Sequence, residues 1–266
     1  MFPTIAVHPA PGGSGSTASG RCKGCRESEV PLFPFSFAYQ PIVDMQGRAI
    51  WAHEALVRGP QGEGAMTVLD QVNADNRYRF DQACRVNAIR IAAGLGMDTR
   101  LSINFLPQAV YRPEICIRTT LEAADKYGFP RERIVFEVTE GERVSDGPWL
   151  ASILTEYQRC GFLTAIDDFG AGYAGLTLLA DFQPDIVKLD MALIRGVDTS
   201  RPRQAIARGI LRMCEELAIT VIAEGIETTG ERDFFLHEGV QLMQGYLFAR
   251  PRFEGLAPAA QIFGQA

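Results

Sequence analysis

Residues 38–56 read AYQPIVDMQGRAIWAHEAL, and the fold turns on how that stretch divides. AYQPIVD (38–44) and AIWAHEAL (49–56) are both β-rich runs, with only Met45-Gln46-Gly47-Arg48 between them. Parallel neighbours in a sheet need a crossover of a dozen or more residues, so these two strands must run antiparallel. The rest of the chain follows a different pattern. Six further runs succeed one another: RLSINFL (100–106), RIVFEVTE (133–140), FLTAIDDF (162–169), DIVKLD (185–190), TVIAEGI (220–226) and LMQGYLF (242–248). Helical periodicity fills the segments between them. Phe80, Ala83, Cys84, Ala88, Ile91 and Leu95 recur at helical spacing, with Arg77–Asp81 and Asp81–Arg85 as i,i+4 charge pairs. Ile206, Ile210, Met213 and Leu217 repeat the pattern before the seventh run. Alternating strands and helices predict a largely parallel sheet, and eight strands predict that it closes. The expected fold is α/β, a modified (β/α)8 barrel with one antiparallel strand.

The chain has 266 residues, 47% of them hydrophobic and 22% charged, enough to bury a sizeable core without disulfides. Residues 34–266 read as one domain, near the ~250 residues typical of such a barrel. Residues 1–33 read as a flexible tail, because HPAPGGSGSTASG (8–20) cannot bury enough apolar surface to offset its ordering entropy. The tail carries Cys22-Lys23-Gly24-Cys25, which is half of a zinc site, a redox pair, or two free thiols in an unstructured segment. Cys84, Cys116, Cys160 and Cys214 are scattered singly and read as small buried hydrophobes. Twenty-six basic and 32 acidic side chains leave a net charge of −6. That argues against binding polymeric nucleic acid or a membrane surface, but not against a small anion held through metal. No apolar run of 18 residues and no secretory signal is visible, so a soluble cytoplasmic protein is expected.

Barrel strands buried on both faces should read as unbroken apolar runs. Here almost every run is interrupted near its C-terminal end: Glu54, Asn104, Glu137, Asp167 with Asp168, Lys188, Glu224 and Gln244. Each follows its predecessor by 20 to 50 residues, about one strand-helix unit, so they should gather at the rim where barrels of this type carry their active sites. Five acids in one place cannot all stay ionised without a cation. Oxygen donors without His or Cys favour Mg²⁺ or Mn²⁺ over Zn²⁺. His8, His53 and His237 are too dispersed for a zinc site, and His53, next to Glu54 on a strand, points to the opposite face. The Asp167-Asp168 pair suits a bridge between two ions, the arrangement that clamps an in-line displacement at phosphorus. Lys188 beside it can orient the nucleophile or neutralise developing charge.

These residues also carry a resemblance. Residues 34–255 resemble the EAL family of cyclic di-GMP phosphodiesterases through eight blocks in order. They are Gln40-Pro41-Ile42, Glu54-Ala55-Leu56 with Arg58, Ile103-Asn104-Phe105, Glu137-Val138-Thr139-Glu140, Asp167-Asp168-Phe169-Gly170, Val187-Lys188-Leu189-Asp190, Ala223-Glu224-Gly225-Ile226-Glu227 and Gln244-Gly245-Tyr246. The resemblance implies a modified TIM barrel that hydrolyses cyclic di-GMP to linear 5′-pGpG with two divalent cations, Mg²⁺ or Mn²⁺; Ca²⁺, with its longer bonds and looser geometry, is expected to inhibit, supporting substrate binding but little turnover. It implies that Glu54, Asn104, Glu137 and Asp167 bind one metal and that Asp167 and Asp168 bind the second. Lys188 and Glu224 would handle the attacking water, with Glu224 the general base. Gln40, Arg58, Glu227 and Gln244 would contact the dinucleotide; the rival reading of Arg58 is a surface partner of Glu63. Asp190 either caps the next segment or touches substrate. Glu140 would anchor the loop after the fifth strand, which departs from the family's usual form at Ala171, Ala174 and Gly175, where Thr and Ser are customary.

Two other readings compete: a receptor that binds cyclic di-GMP without cleaving it, and a protein-interaction module. Both fit best where metal-site acids are lost, and here none is. The resemblance further implies a homodimer formed next to the loop after the fifth strand. Leu176, Leu178, Leu179 and Phe182 crowd the stretch after Gly175 and offer apolar surface for it.

Overall fold

Asp44 makes the turn on which the architecture depends. Its Oδ1 accepts hydrogen bonds from the backbone N–H groups of Gln46 (3.0 Å) and Gly47 (2.9 Å), so a short acidic side chain stands in for a turn carbonyl. The turn reverses β1 (Ser36–Asp44) into β2 (Ala49–Arg58). The two pair antiparallel with Gln40 opposite Glu54. The computed structural model describes residues 32–139, 147–172 and 175–264. Cys22, Cys25, Glu140, Tyr173 and Ala174 lie outside the described residues.

From β2 the chain runs through β3 (Arg100–Asn104), β4 (Ile134–Thr139), β5 (Leu163–Phe169), β6 (Ile186–Leu189), β7 (Thr220–Ala223) and β8 (Leu242–Met243). Each pairs in parallel with the next, and β8 closes antiparallel on β1. The expected barrel is therefore present, and β1 is its single antiparallel strand. A ninth strand, β9 (Arg252–Phe253), pairs with β1 outside the ring. The helices used below are α1 (Arg77–Gly94), α2 (Arg118–Tyr127), α3 (Gly147–Arg159), α4 (Gly175–Asp181), α5 (Met191–Ile194), α6 (Arg201–Glu216) and α7 (Thr229–His237). None among the described residues is long and apolar enough to cross a membrane.

Inside the ring, Ile42, Ala52, Val135, Ala165, Ile186, Ile222 and Leu242 form one buried apolar layer. Outside it, α1, α2 and α3 cover one half of the barrel and α4, α6 and α7 the other. Two expected helical details need correction. On α6 the buried residues are Ala207 and Cys214, while Ile206 is 51% and Leu217 38% exposed. The inward face centres on these two small side chains, with Ile210 and Met213 of the expected stripe packing half-buried beside them. On α1, Arg77 donates to Gln108 rather than pairing with Asp81, and the Asp81–Arg85 pair, at 2.8 Å, is fully buried. Of the apolar residues after Gly175, Leu179 and Phe182 are buried in the protein's own core and Leu178 partly so. Leu176, 64% exposed, is the member that faces solvent. Cys84, Cys116 and Cys214 are buried as expected, and Cys160 is half-buried.

His53 is buried on the outer face of β2, its Nδ1 2.9 Å from the Thr99 hydroxyl. Burial pushes its imidazole down to about 4, against the opposing pull of Asp98. The unfolded chain, with an ordinary His near 6.5, therefore binds more protons than the folded one between those values, so stability rises with pH across that window. The contribution is present above pH ~6.5 and lost as pH falls through ~4, up to about 3 kcal/mol. Melting temperatures of the wild type and His53→Gln, measured from pH 4 to 7.5, should converge toward the acid end. Parallel curves would mean that His53 is not a source of acid sensitivity.

Candidate active site

Strand alternation builds the site. Two residues along from the apolar layer, on the same inward face, stand Gln40, Glu54, Glu137, Asp167, Lys188, Glu224 and Gln244. Ser102 and Asn104 complete this layer on β3, with Ser102 donating to Glu137 and Asn104 Nδ2 donating to Glu54 Oε1 at 2.9 Å. Glu224 and Gln244 lie one residue beyond shorter strands than expected, since β7 ends at Ala223 and β8 at Met243. Gly245 explains the second ending, because a Cβ there would collide with the Ile226 backbone. That close approach is sealed by the Ile226 N–H donating to the Gln244 carbonyl at 3.0 Å.

Neighbouring residues on a regular strand face opposite ways, so Asp167 and Asp168 should diverge. They do not. The β5–β6 register shifts between Ile166 and Phe169, and Asp168 adopts a left-handed φ of 53°, a strained conformation for a residue with a side chain. Its N–H donates to Asp167 Oδ1 at 2.9 Å. The bulge turns both carboxylates into the same cleft.

Lys188 is buried among the acids. Its Nζ lies 2.6 Å from Glu224, 2.8 Å from Glu137, 3.2 Å from Asp167 and 3.6 Å from Glu54. Burial works against its charge, but the surrounding carboxylates, Asp167 foremost, outweigh it and hold the ammonium protonated. One ammonium does not balance five acids. Burial and neighbouring carboxylates push Glu137 up to about 8 and Asp168 up to about 7, and raise Glu224 well above the ordinary range. Two triads of ligand atoms, each within 4.8 Å of one another, share Asp167: Glu54 with Glu137, and Asp168 with Glu224. Gln244 Oε1 is buried without a hydrogen-bond partner. Surplus buried negative charge and an oxygen-only donor set fit hard divalent cations.

Above the triads opens a cleft of about 430 Å³. Gln40, Glu227 and Gln244 line it, and Arg58 is not among the lining residues. Arg58 instead donates to the neighbouring Val57 carbonyl, 2.8 Å away, and Glu63 accepts from the Gln61 N–H. Asp190 caps α5, accepting from the Ala192 N–H at 2.8 Å, and also lines the cleft. The sequence reading passed over Leu56, Met191, Arg195 and Tyr246, which also line the cleft. Tyr246 was within a quoted block, and its 49% exposure beside Gln244 is the property that marks it. Arg195 sits beyond the end of α5, and no period or motif singled it out.

A barrel whose mouth gathers carboxylates into two triads forms a site of the class that can hold divalent cations. The chain belongs to the EAL domain family, whose model matches residues 34–251. Among solved structures, a standalone versatile EAL protein from Vibrio cholerae O395, in its c-di-GMP bound form, superposes with a TM-score of 0.85 and 52% identity. The match covers 89% of this chain and all of that one. BlrP1 of Klebsiella pneumoniae, in a manganese/cy-diGMP complex, gives a TM-score of 0.80 and 36% identity over 86% of this chain and 59% of its own. The blue light- and temperature-regulated antirepressor BluF of Escherichia coli is 34% identical over 231 residues. That match covers 86% of this chain and 57% of BluF, so the chain spans little more than half of that relative.

Proposed function

We propose that this protein hydrolyses cyclic di-GMP to linear 5′-pGpG, using two divalent cations, Mg²⁺ or Mn²⁺, held by Glu54, Asn104, Glu137, Asp167 and Asp168. The observation that carries the reading is the sharing of Asp167 between Glu54/Glu137 and Asp168/Glu224. Cations there would supply Lewis-acid activation of the phosphodiester and of water, with Asn104 adding an amide oxygen beside Glu54. The protein's own residues do the rest. Glu224 accepts a proton from the attacking water, and Lys188 at 2.6 Å fixes its orientation. Water oxygen bonds to phosphorus, the P–O3′ bond breaks, and the departing 3′ oxygen takes up a proton from solvent, to which Glu224 returns its own. Gln40, Glu227 and Gln244 orient the dinucleotide in the cleft. Leu176 offers the apolar contact through which two copies would pair.

Glu224→Gln tests the assignment of the base. It should lower turnover in Mg²⁺ by about 10²–10⁴-fold, while the Kd for cyclic di-GMP in Ca²⁺, which prefers longer bonds and looser geometry, stays within about threefold. An equal loss of binding and turnover would contradict the role. The relationship to an antirepressor supports a second reading, a module that acts by binding a partner protein. The complete set of acids and the buried Lys188 support the enzyme.

A further inference from the structure

The cleft that would take the dinucleotide is lined by six carboxylates, Glu54, Asp167, Asp168, Asp190, Glu224 and Glu227. Among the described residues lining it, one side chain is basic: Arg195. Lys188 is buried beneath, occupied by four acids. Arg195 Nη2 lies 3.0 Å from Glu227 Oε1, and both side chains are about half exposed. An ion pair that wet adds little stability, so its presence at the mouth calls for another account.

The backbone on both sides of the pair is fixed by one buried carboxylate. Glu231, on α7, accepts from the N–H of Gly196 at 3.1 Å, of Glu227 at 3.0 Å and of Thr228 at 3.1 Å. The Arg195 N–H itself donates to the Met191 carbonyl at 2.9 Å. A flexible arginine is thus presented from a rigid base toward an acidic cleft.

A cyclic dinucleotide carries two phosphodiesters, each with one negative charge. Cations at the Asp167 triads would neutralise the one being cleaved. The other must rest in the same acidic cleft, where uncompensated carboxylates repel it. We propose that Arg195 binds this second, non-scissile phosphodiester, forking two N–H groups onto its oxygens, with Glu227 as the partner that holds the guanidinium in place beforehand. The proposal rests on the cyclic dinucleotide reading above. It makes Arg195 an affinity determinant that acts away from the reacting phosphorus.

The test is calorimetric binding of cyclic di-GMP in Ca²⁺, alongside turnover in Mg²⁺, for wild type, Arg195→Met, Arg195→Lys, Glu227→Gln and the Arg195→Met/Glu227→Gln double variant. Arg195→Met should raise Kd about tenfold or more, leave kcat within about threefold, and be partly rescued by Lys. The loss should persist on the Glu227→Gln background. A Kd within about twofold of wild type, or a loss that disappears once Glu227 is neutralised, would overturn the proposal. A wild type that binds without cleaving would sink the hydrolase reading while the Kd ratio still decides on Arg195. A wild type that neither binds nor cleaves would overturn both.

Discussion

Asp167→Asn should lower cyclic di-GMP hydrolysis in Mg²⁺ by more than about 100-fold while leaving the barrel folded. Even groups that only support a metal ligand typically cost 10–100-fold when removed, and Asp167 is the ligand that both triads share. Asparagine keeps the shape and can still accept the Asp168 N–H that now donates to Asp167 Oδ1. The fold has little to lose, because the Asp167 charge is one of the influences that raise the proton affinity of Glu137, Asp168 and Glu224. Removing it relieves repulsion while one of the Lys188 contacts weakens. Steady-state turnover and a melting curve on the same preparation check both halves. Retention of most of the wild-type rate would dismantle the shared-ligand account, and a collapsed melting temperature would make Asp167 a structural residue instead.

The second large effect is on stability. Arg85→Met should cost about 3–5 kcal/mol, the price of leaving a buried charge without its partner. Arg85 and Asp81 are both fully buried at 2.8 Å. The guanidinium lies 5.0–5.4 Å from the ring centroids of Phe105, Phe136 and Tyr157 and donates to the Tyr157 hydroxyl at 2.7 Å. Asp81 accepts the Leu106 N–H at 2.9 Å. The pair therefore ties α1 to the loop after β3 and to α3. Urea unfolding should show the loss, and Asp81→Asn combined with Arg85→Met should recover much of it, since neither charge then stands alone. A single-variant loss below about 1 kcal/mol, the range of exposed pairs, would contradict the burial argument.

This pair also shows where the sequence stops being legible. Asp81 and Arg85 are four apart on a helix, and that spacing describes a solvated charge pair as well as a buried one. What distinguishes them is the set of rings brought from residues 105, 136 and 157, and no local pattern contains that. The barrel was legible because its signal is local and repeated: a four-residue gap forces β1 against β2, and each later strand is followed by a helix-length segment. The polar layer was legible for the same reason, as an interruption of apolar runs at one end of each strand. Glu54, Asn104, Glu137, Asp167, Asp168, Lys188, Glu224 and Gln244 accordingly come together. The orientation of Asp168 was not legible, because period-two alternation turns it away from Asp167 and only the bulge brings it back. The placement of Arg58 against the Val57 carbonyl was not legible either, since a place in a motif says nothing of where a long side chain points. Arg195 was invisible because its meaning is comparative: it matters as one cation among six carboxylates gathered from distant segments.

Chromatographic measurement of pGpG formed from cyclic di-GMP by the purified protein, with Mg²⁺, with Mn²⁺ and with excess chelator, tests the central claim directly. Stoichiometric conversion to pGpG is expected with either metal, with 5′-phosphate ends, and none once the cations are removed. Cyclic di-GMP recovered intact in the presence of both metals, or cleavage that continues at the same rate in chelator, would contradict it.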